Sequence, residues 1–365
     1  MNRPRVKLAH MPRRRPTGAL WVGSLHYGLG SEVDDYDGTV AKALALMDGT
    51  RDFDDVVSAL ATEVGVESLE ARGLIEQLIQ QGWIEEATVT QTSLSQDEID
   101  RYSRSRDYFA WVDLHPRTSP YEVQESLQQS RVAVLGIGGI GSLVSMNLVA
   151  LGIGELTIVD FDVVELSNLN RQVLYRLDQV GRPKTSAAFE NLHALNPNVS
   201  IRQVSRRLEE SSDFTSIIDD VDLFVLCADR PAEIAYWANS AAILTRKPWI
   251  LSSYNGPMSS VGVFIPGITG CYRCMRLRVI AELTERGQAD LVPSDEIPPF
   301  TAVIAPTAQI AAGWASLEAV YFLSGIGANT VGRVYHQNLL DYDQSYYVDA
   351  SPFDGCPECQ GDGES

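Results

Sequence analysis

The sequence predicts an α/β protein: a doubly wound, Rossmann-like, mostly parallel sheet with a small winged-helix-like α+β unit ahead of it. Three observations predict this. From about residue 121, short apolar runs alternate with stretches of helical spacing, the pattern of parallel strands joined by crossover helices. The first of those runs ends in glycines, RVAVLGIGGIG over residues 131–141. Residues 18–86 follow a different logic, with short amphipathic helices between strand-like pieces.

Composition sets the outer bounds. The chain has 365 residues, of which 45% are hydrophobic, enough for two or three domains with a sizeable core. A formal net charge of -19 argues against a nucleic-acid or anionic-membrane partner, since either needs a basic face. No apolar stretch reaches the roughly 18 residues of a membrane-spanning helix. A cytoplasmic location follows. The basic start, MNRPRVKLAHMPRRRP, has no apolar signal core behind it, so residues 1–17 read as a flexible tail or as a docking arm for an acidic partner.

Taken in order, GALWVGSLHYGL alternates like a short strand or hairpin, and TVAKALALMDG then shows helical spacing up to Gly49. DFDDVVSALATEVG opens on an acidic cap and places Val56, Val57, Leu60 and Val64 on one face. SLEARGLIEQLIQQGWI repeats the pattern and closes at Gly82. Residues 18–87 thus form the winged-helix-like unit, and the polar residues 88–97 form a linker. Residues 98–365 form the larger domain, with strands expected at 131–135, 155–159, 199–204, 222–226 and 248–253. Helices are expected at 140–151, 184–195 and 231–245, with later strands in SVGVFIPG and GRVYHQNLLD and a long helix in APTAQIAAGWASLEAVYFLSG.

The glycines have separate tasks. Gly136 permits a tight turn, Gly138 and Gly139 leave the backbone open to a phosphate, and Gly141 lets the following helix pack on the strand. Exposed amides at that helix end favour an anion. Asp160 lies 19 residues beyond Gly141, where a carboxylate takes ribose hydroxyls, and Asp162 follows it. These features suit a dinucleotide and ATP equally. The next residues decide. Ser167, Asn168, Asn170, Arg171 and Gln172 come in one cluster, and Lys184 opens the next helix. An arginine and a lysine beside one nucleotide answer the charge density of a triphosphate. Asp229 follows the DLFVLCA strand at the sheet's carboxyl edge, where a carboxylate suits magnesium. The reading is therefore ATP with Mg2+.

Four of the five cysteines form two C-x-x-C pairs, Cys271 with Cys274 and Cys356 with Cys359. In a cytosolic chain this reads as a tetrathiolate zinc site, structural because four sulfurs leave no open coordination position. Cys227 reads as a buried strand residue, and His193 and His336 as structural or surface residues.

GIGGIG, DFD, SNLNRQ, VGRPK, the aspartate after the fourth strand, CYRC and CPEC together resemble the ThiF/MoeB family of ubiquitin-activating-type adenylating enzymes. The resemblance implies that Asp160 holds ribose, that Asn168, Arg171 and Lys184 face the phosphates, and that Asp229 organises magnesium. RYSR matches the family's R-Y-x-R element, whose second arginine, here Arg104, is implied to reach a neighbouring subunit's ATP, making a homodimer with composite sites. Two departures stand out. Asp229 is followed by Arg230 where the family often has asparagine. The loop DEIPPFTAVIAP also lacks the cysteine that sulfur-carrier members have. Residues 18–87 resemble the PqqD-like element that binds leader peptides by adding a strand to a sheet edge. Together these are most similar to the microcin-C type of peptide-adenylating enzyme.

The implied reaction is ATP-dependent adenylation of a ribosomally made precursor peptide held through its leader, with a downstream modifying enzyme as a possible further partner. Two alternatives stay open: a non-catalytic leader-binding partner of a YcaO-type cyclodehydratase, and a sulfur-carrier-protein adenylyltransferase.

Overall fold

The computed structural model describes residues 1–23, 30–88, 92–291 and 302–359. Contacts divide the chain into two compact units, Met1–Ser126 and Leu127–Ser365.

The first unit contains strands β1 (Pro4–Val6), β2 (Pro12–Arg14), β3 (Leu20–Gly23) and β4 (Gly30–Val33), then helices α1 (Thr39–Leu46), α2 (Phe53–Val64) and α3 (Ser68–Gln80). Strand β5 (Ile84–Glu86), helices α4 (Gln96–Arg101) and α5 (Ser103–Val112), and α6 (Glu122–Gln129), which runs across the division, complete it. The turn of the expected hairpin in GALWVGSLHYGL lies outside the described residues. Its arms, β3 and β4, pair antiparallel with β2 on the other side. Asp52 caps α2 by accepting from the Asp55 amide, and Gly65 ends the helix in the left-handed region. The face this spacing creates buries Val56, Val57 and Leu60 against Ile75, Leu78, Trp83 and Ile84.

The first 17 residues differ from the expected flexible tail. β1 pairs antiparallel with β5. Its alternate residues Pro4 and Val6 are buried, while Arg5 turns outward to Glu85 at 2.7 Å. The buried Glu86 carboxylate accepts from the amides of Asn2 and, at 3.0 Å, Arg3. Arg14 meets the buried Asp35 at 2.7 Å, and the Lys7 ammonium donates to the Asp113 carbonyl at 2.7 Å. The basic residues that suggested a solvated arm are thus partly consumed by internal acids and carbonyls.

The expected boundary at 97/98 also moves. His10 contacts the Trp111 carbonyl at 3.2 Å, and a Cβ added at Gly82 would lie 2.0 Å from the Leu114 carbonyl oxygen. Those contacts bind the stretch around α5 to the small unit. Ser95 caps α4 through a capping box, and Thr92 donates to Glu125 at 2.7 Å.

The second unit carries strands β6 (Arg131–Leu135), β7 (Glu155–Val159), β8 (Ser200–Val204), β9 (Leu223–Leu226), β10 (Trp249–Asn255), β11 (Met258–Phe264), β12 (Arg333–Asn338) and β13 (Ser345–Asp349). Its helices are α7 (Gly139–Ala150), α8 (Lys184–Leu195), α9 (Ser211–Ile218), α10 (Ile234–Thr245), α11 (Tyr272–Glu285) and α12 (Ala305–Leu323). The strands form one eight-stranded sheet in the order β13-β12-β11-β10-β9-β6-β7-β8. From β8 to β10 the neighbours are parallel, and from β10 to β13 they are antiparallel. The chain therefore winds outward from β6 to β8, returns, and winds outward again from β9. The point of reversal lies between β6 and β9, where doubly wound sheets bind ligands. Among the described residues, no helix is long and apolar enough to cross a membrane. The core on one side of the sheet stacks Trp249 between Phe224 at 5.7 Å and Phe264 at 4.8 Å.

Candidate functional site

The carboxyl ends of the parallel strands frame a cleft of about 1120 Å³. Its floor is the glycine turn. Gly136 has φ 90°, and a Cβ there would come within 2.9 Å of Ala228. A Cβ on Gly141 would fall 1.8 Å from the Gly136 carbonyl oxygen, so only glycine lets α7 start this close to the strand. At Gly138 an added Cβ would meet only the Gln172 amide at 3.9 Å, and the backbone there is open to the cleft.

Asp160 and Asp162 both line the cleft and differ in their surroundings. Asp160 is buried, and both its oxygens accept backbone amides, Oδ2 from Ile137 and Oδ1 from Asp162, each at 2.8 Å. The Tyr175 hydroxyl donates to the Ile137 carbonyl at 2.8 Å, so both polar atoms of that residue are held by side chains. Asp160 braces the turn. Asp162 is half-exposed on the cleft wall, with the Lys184 ammonium 3.0 Å from it and 3.8 Å from Asp160. Sequence spacing cannot separate two carboxylates of one loop that differ only in what surrounds them.

The SNLNRQ stretch splits similarly. Asn168, Arg171 and Gln172 line the cleft with Lys184 and Asp229, whereas Ser167, Asn170 and Gly141 do not line it. Asn168 accepts from the Glu165 amide at 3.0 Å, and the Ser167 hydroxyl donates to Glu165 at 3.1 Å. The Arg171 guanidinium donates through Nη1 to the Ser167 carbonyl at 3.1 Å and to Asn170 at 3.0 Å. Arg171 Nε and Gln172 Oε1 are buried without a protein partner, a donor and an acceptor at a polar cleft. Asp229 is exposed at the rim, just beyond β9.

Several lining residues escaped sequence reasoning. Arg206 and Arg207 follow β8, Tyr254 lies near the end of β10, and Tyr272 and Arg276 start α11. The Arg207 guanidinium stacks over the Phe161 ring at 4.0 Å. The usable signal was position, since ligands gather beyond the carboxyl ends of parallel strands. Cys227 sits one residue past β9 and half-buried in the cleft wall rather than inside the strand, and burial raises its thiol pKa. His193 stacks on Phe189 and His336 on Tyr346, away from the cleft lining.

Arg104 belongs to the first unit, on α5. Its side chain is 95% exposed, and the nearest carboxylate oxygen, on Asp107, stands 3.9 Å away.

The four paired cysteines converge in the second unit. Their sulfurs all lie within 4.8 Å of one another, with 3.8 Å between Cys271 and Cys274, 3.7 Å between Cys271 and Cys356, and 3.2 Å between Cys274 and Cys359. Zinc–sulfur bonds of about 2.3 Å in a tetrahedron put the sulfurs about 3.8 Å apart, so this donor set fits Zn2+. Such an ion joins the start of α11 to the turn after β13.

The ThiF family profile matches residues 113–357. The chain belongs to the ThiF family. Among curated relatives, this ThiF-family chain is 38% identical to the sulfur carrier protein adenylyltransferase of Thermus thermophilus over 186 residues, 50% of this chain and 65% of that protein. It is 29% identical to the molybdopterin-synthase adenylyltransferase of Escherichia coli over 242 residues, 66% of this chain and 88% of that one. Solved structures of E. coli MccB match at greater length. The form with ATP aligns with a TM-score of 0.74 and 21% identity, covering 98% of this chain and 99% of that one. The microcin C7 biosynthetic enzyme MccB in complex with N-formylated MccA aligns equally well, at a TM-score of 0.74. At this identity the likeness is one of fold, and it extends through both units. The sulfur-carrier relative covers half of the chain.

Proposed function

We propose that this protein is an ATP-dependent adenylyltransferase that activates a carboxylate of a ribosomally made precursor peptide, with the first unit holding the peptide's leader. The observation that carries the reading is the whole-chain likeness to MccB, small unit included, combined with a cleft whose charges suit a triphosphate.

In this reading the ribose meets Asp160, which also keeps the turn in shape, with Asp162 beside it on the cleft wall. The phosphates lie over Gly138 and the N-terminus of α7, between Arg171 and Lys184. Asp229 would hold Mg2+, which when bound would supply charge neutralisation at the phosphates. A peptide carboxylate oxygen bonds to the α-phosphorus as the bond from that phosphorus to the bridging oxygen breaks. Reactant and target are both anionic, so cations and alignment do the catalytic work. No base is required, because the carboxylate is already ionised at pH 7. Arg104 adds a cation from a second copy of the chain. The zinc holds the end of the chain and takes no part in the chemistry.

The sulfur-carrier reading has the higher sequence identity in its favour. Against it stand the extra unit and a loop, DEIPPFTAVIAP, without a thiol. Most of that loop lies outside the described residues. The scaffold reading, a leader carrier for a YcaO-type cyclodehydratase, has no need of the charged cleft lining. Peptide-dependent exchange of labelled pyrophosphate into ATP tests the choice, using short peptides encoded beside the gene and, separately, a sulfur-carrier protein. Exchange driven by the carrier alone sinks the peptide reading, and exchange with neither supports the scaffold.

A further inference from the structure

We propose that Tyr254 is a positioning residue for nucleotide activation, its phenol holding the Arg171 guanidinium against the glycine turn. The inference rests on reading the cleft as an ATP site, and Tyr254 belongs to no motif that suggested that reading.

Three elements meet at one point. Tyr254 comes from the carboxyl end of β10, on the β9 side of the reversal in the sheet, and Arg171 comes from the loop after β7, on the other side. Between them lies Gly139, the first residue of α7. A Cβ added at Gly139 would stand 3.2 Å from the Tyr254 hydroxyl and 3.7 Å from Arg171 Cδ. The missing side chain is what lets phenol and arginine close over the turn.

The other polar contacts of Arg171 are local. Its Nη1 donates to Ser167 and Asn170, both within its own loop. Those bonds fix the guanidinium relative to the loop and leave its place relative to α7 open. The Tyr254 hydroxyl reaches the same turn from a strand of the sheet, beside an arginine whose buried Nε has no other partner among the described residues. The mount is firm, because the neighbouring Ser253 shares a 2.8 Å hydrogen bond across to Ser260 on β11. A phenol is neutral at pH 7, so its oxygen is available to accept from arginine and its proton to bond elsewhere, and burial pushes its pKa further up. A cation delivered from one fixed direction loses less entropy on meeting phosphate than one on a free arm.

The test is a double-mutant cycle on the full chain, read by calorimetry with magnesium-ATP and, in parallel, with adenosine. Tyr254→Phe keeps the ring and removes the hydroxyl. It should weaken ATP binding about tenfold, a difference of about 1.4 kcal/mol, and leave adenosine unchanged. In an Arg171→Ala background the same change should cost less than about twofold, because the residue it acts through is gone. Tyr254→Gln, which retains a polar group, should recover part of the loss and guards against a folding defect in the phenylalanine variant. Equal losses in both backgrounds, or equal losses for ATP and adenosine, overturn the proposal and leave the ATP reading standing. A wild-type protein that binds no ATP overturns that reading first, and the role of Tyr254 with it.

Discussion

Replacing Gly141 with alanine adds one methyl group where α7 leaves the glycine turn. In an open helix this change stabilises, since alanine is favoured over glycine by about 1 kcal/mol. Here the new carbon would lie 1.8 Å from the Gly136 carbonyl oxygen and 3.0 Å from the carbon behind it. Neither atom can rotate away, because both belong to the main chain of a turn held by Asp160. The start of α7 must retreat by more than an ångström, and overpacking of this kind costs about 1–3 kcal/mol or more. The net effect is destabilising, and for a unit of this size each kcal/mol lowers Tm by about 2–4 °C. Gly313 supplies the control within the same unit, since an added Cβ there meets nothing within 4 Å. Scanning calorimetry should show Gly141→Ala melting several degrees lower and binding ATP weakly, with Gly313→Ala melting slightly higher. If both alanines raise Tm alike, the close approach of helix to turn is not a feature of the protein.

Three further expectations follow from named contacts. Cys356→Ser should lower zinc content and Tm together, because metal affinity is part of the folding free energy; metal analysis and calorimetry on one preparation check this, and unchanged melting without metal refutes it. Mixed dimers of Arg104→Ala and Asp229→Ala subunits, each inactive alone, should regain about half of wild-type pyrophosphate exchange, one intact composite site of two; no recovery in dimers verified by mass places Arg104 outside the site. The third concerns pH. Burial alone would raise the Asp113 carboxyl, but bonds from Arg117 at 2.7 Å and from the amide and ring of His115 outweigh it and hold the pKa below the usual range. A lowered folded pKa means stability present above the unfolded value, about 3.9, and lost as pH falls through the folded one. Asp113→Asn should therefore destabilise the first unit by about 1.5–3 kcal/mol near pH 7, with the gap to wild type closing below about pH 4 in urea melts.

What could be read in advance depended on the range of the signal. β6 and β7 match their expected bounds because fully buried parallel strands are continuous apolar runs, legible residue by residue. The glycine turn was legible because backbone demands are local. β1 was not, since PRV looks like part of a basic arm until Glu86 is brought beside it from far along the chain. α11 was missed because only Cys274 and Met275 are buried along its length, too few to show a period. β13 was missed for a similar reason, as none of its residues is fully buried. In the cleft, residue types were legible and their surroundings were not. Asp160 and Asp162 share a loop and a chemistry, and only the amides of Ile137 and Asp162 decide which one braces the turn.

The bonds that hold Ile137 bear on when the site comes into being. Its amide is held by an acid just past β7 and its carbonyl by a tyrosine further along the chain, so the turn cannot loosen without disturbing the neighbouring strand. Opening therefore belongs to global unfolding rather than to local breathing, and amide exchange at Ile137 should follow the slowest class in the second unit. A nucleotide arriving here finds its seat already shaped. Its binding energy then raises the stability of the whole unit by mass action, about 2.7 kcal/mol at a hundred times Kd, instead of being consumed in ordering a loop.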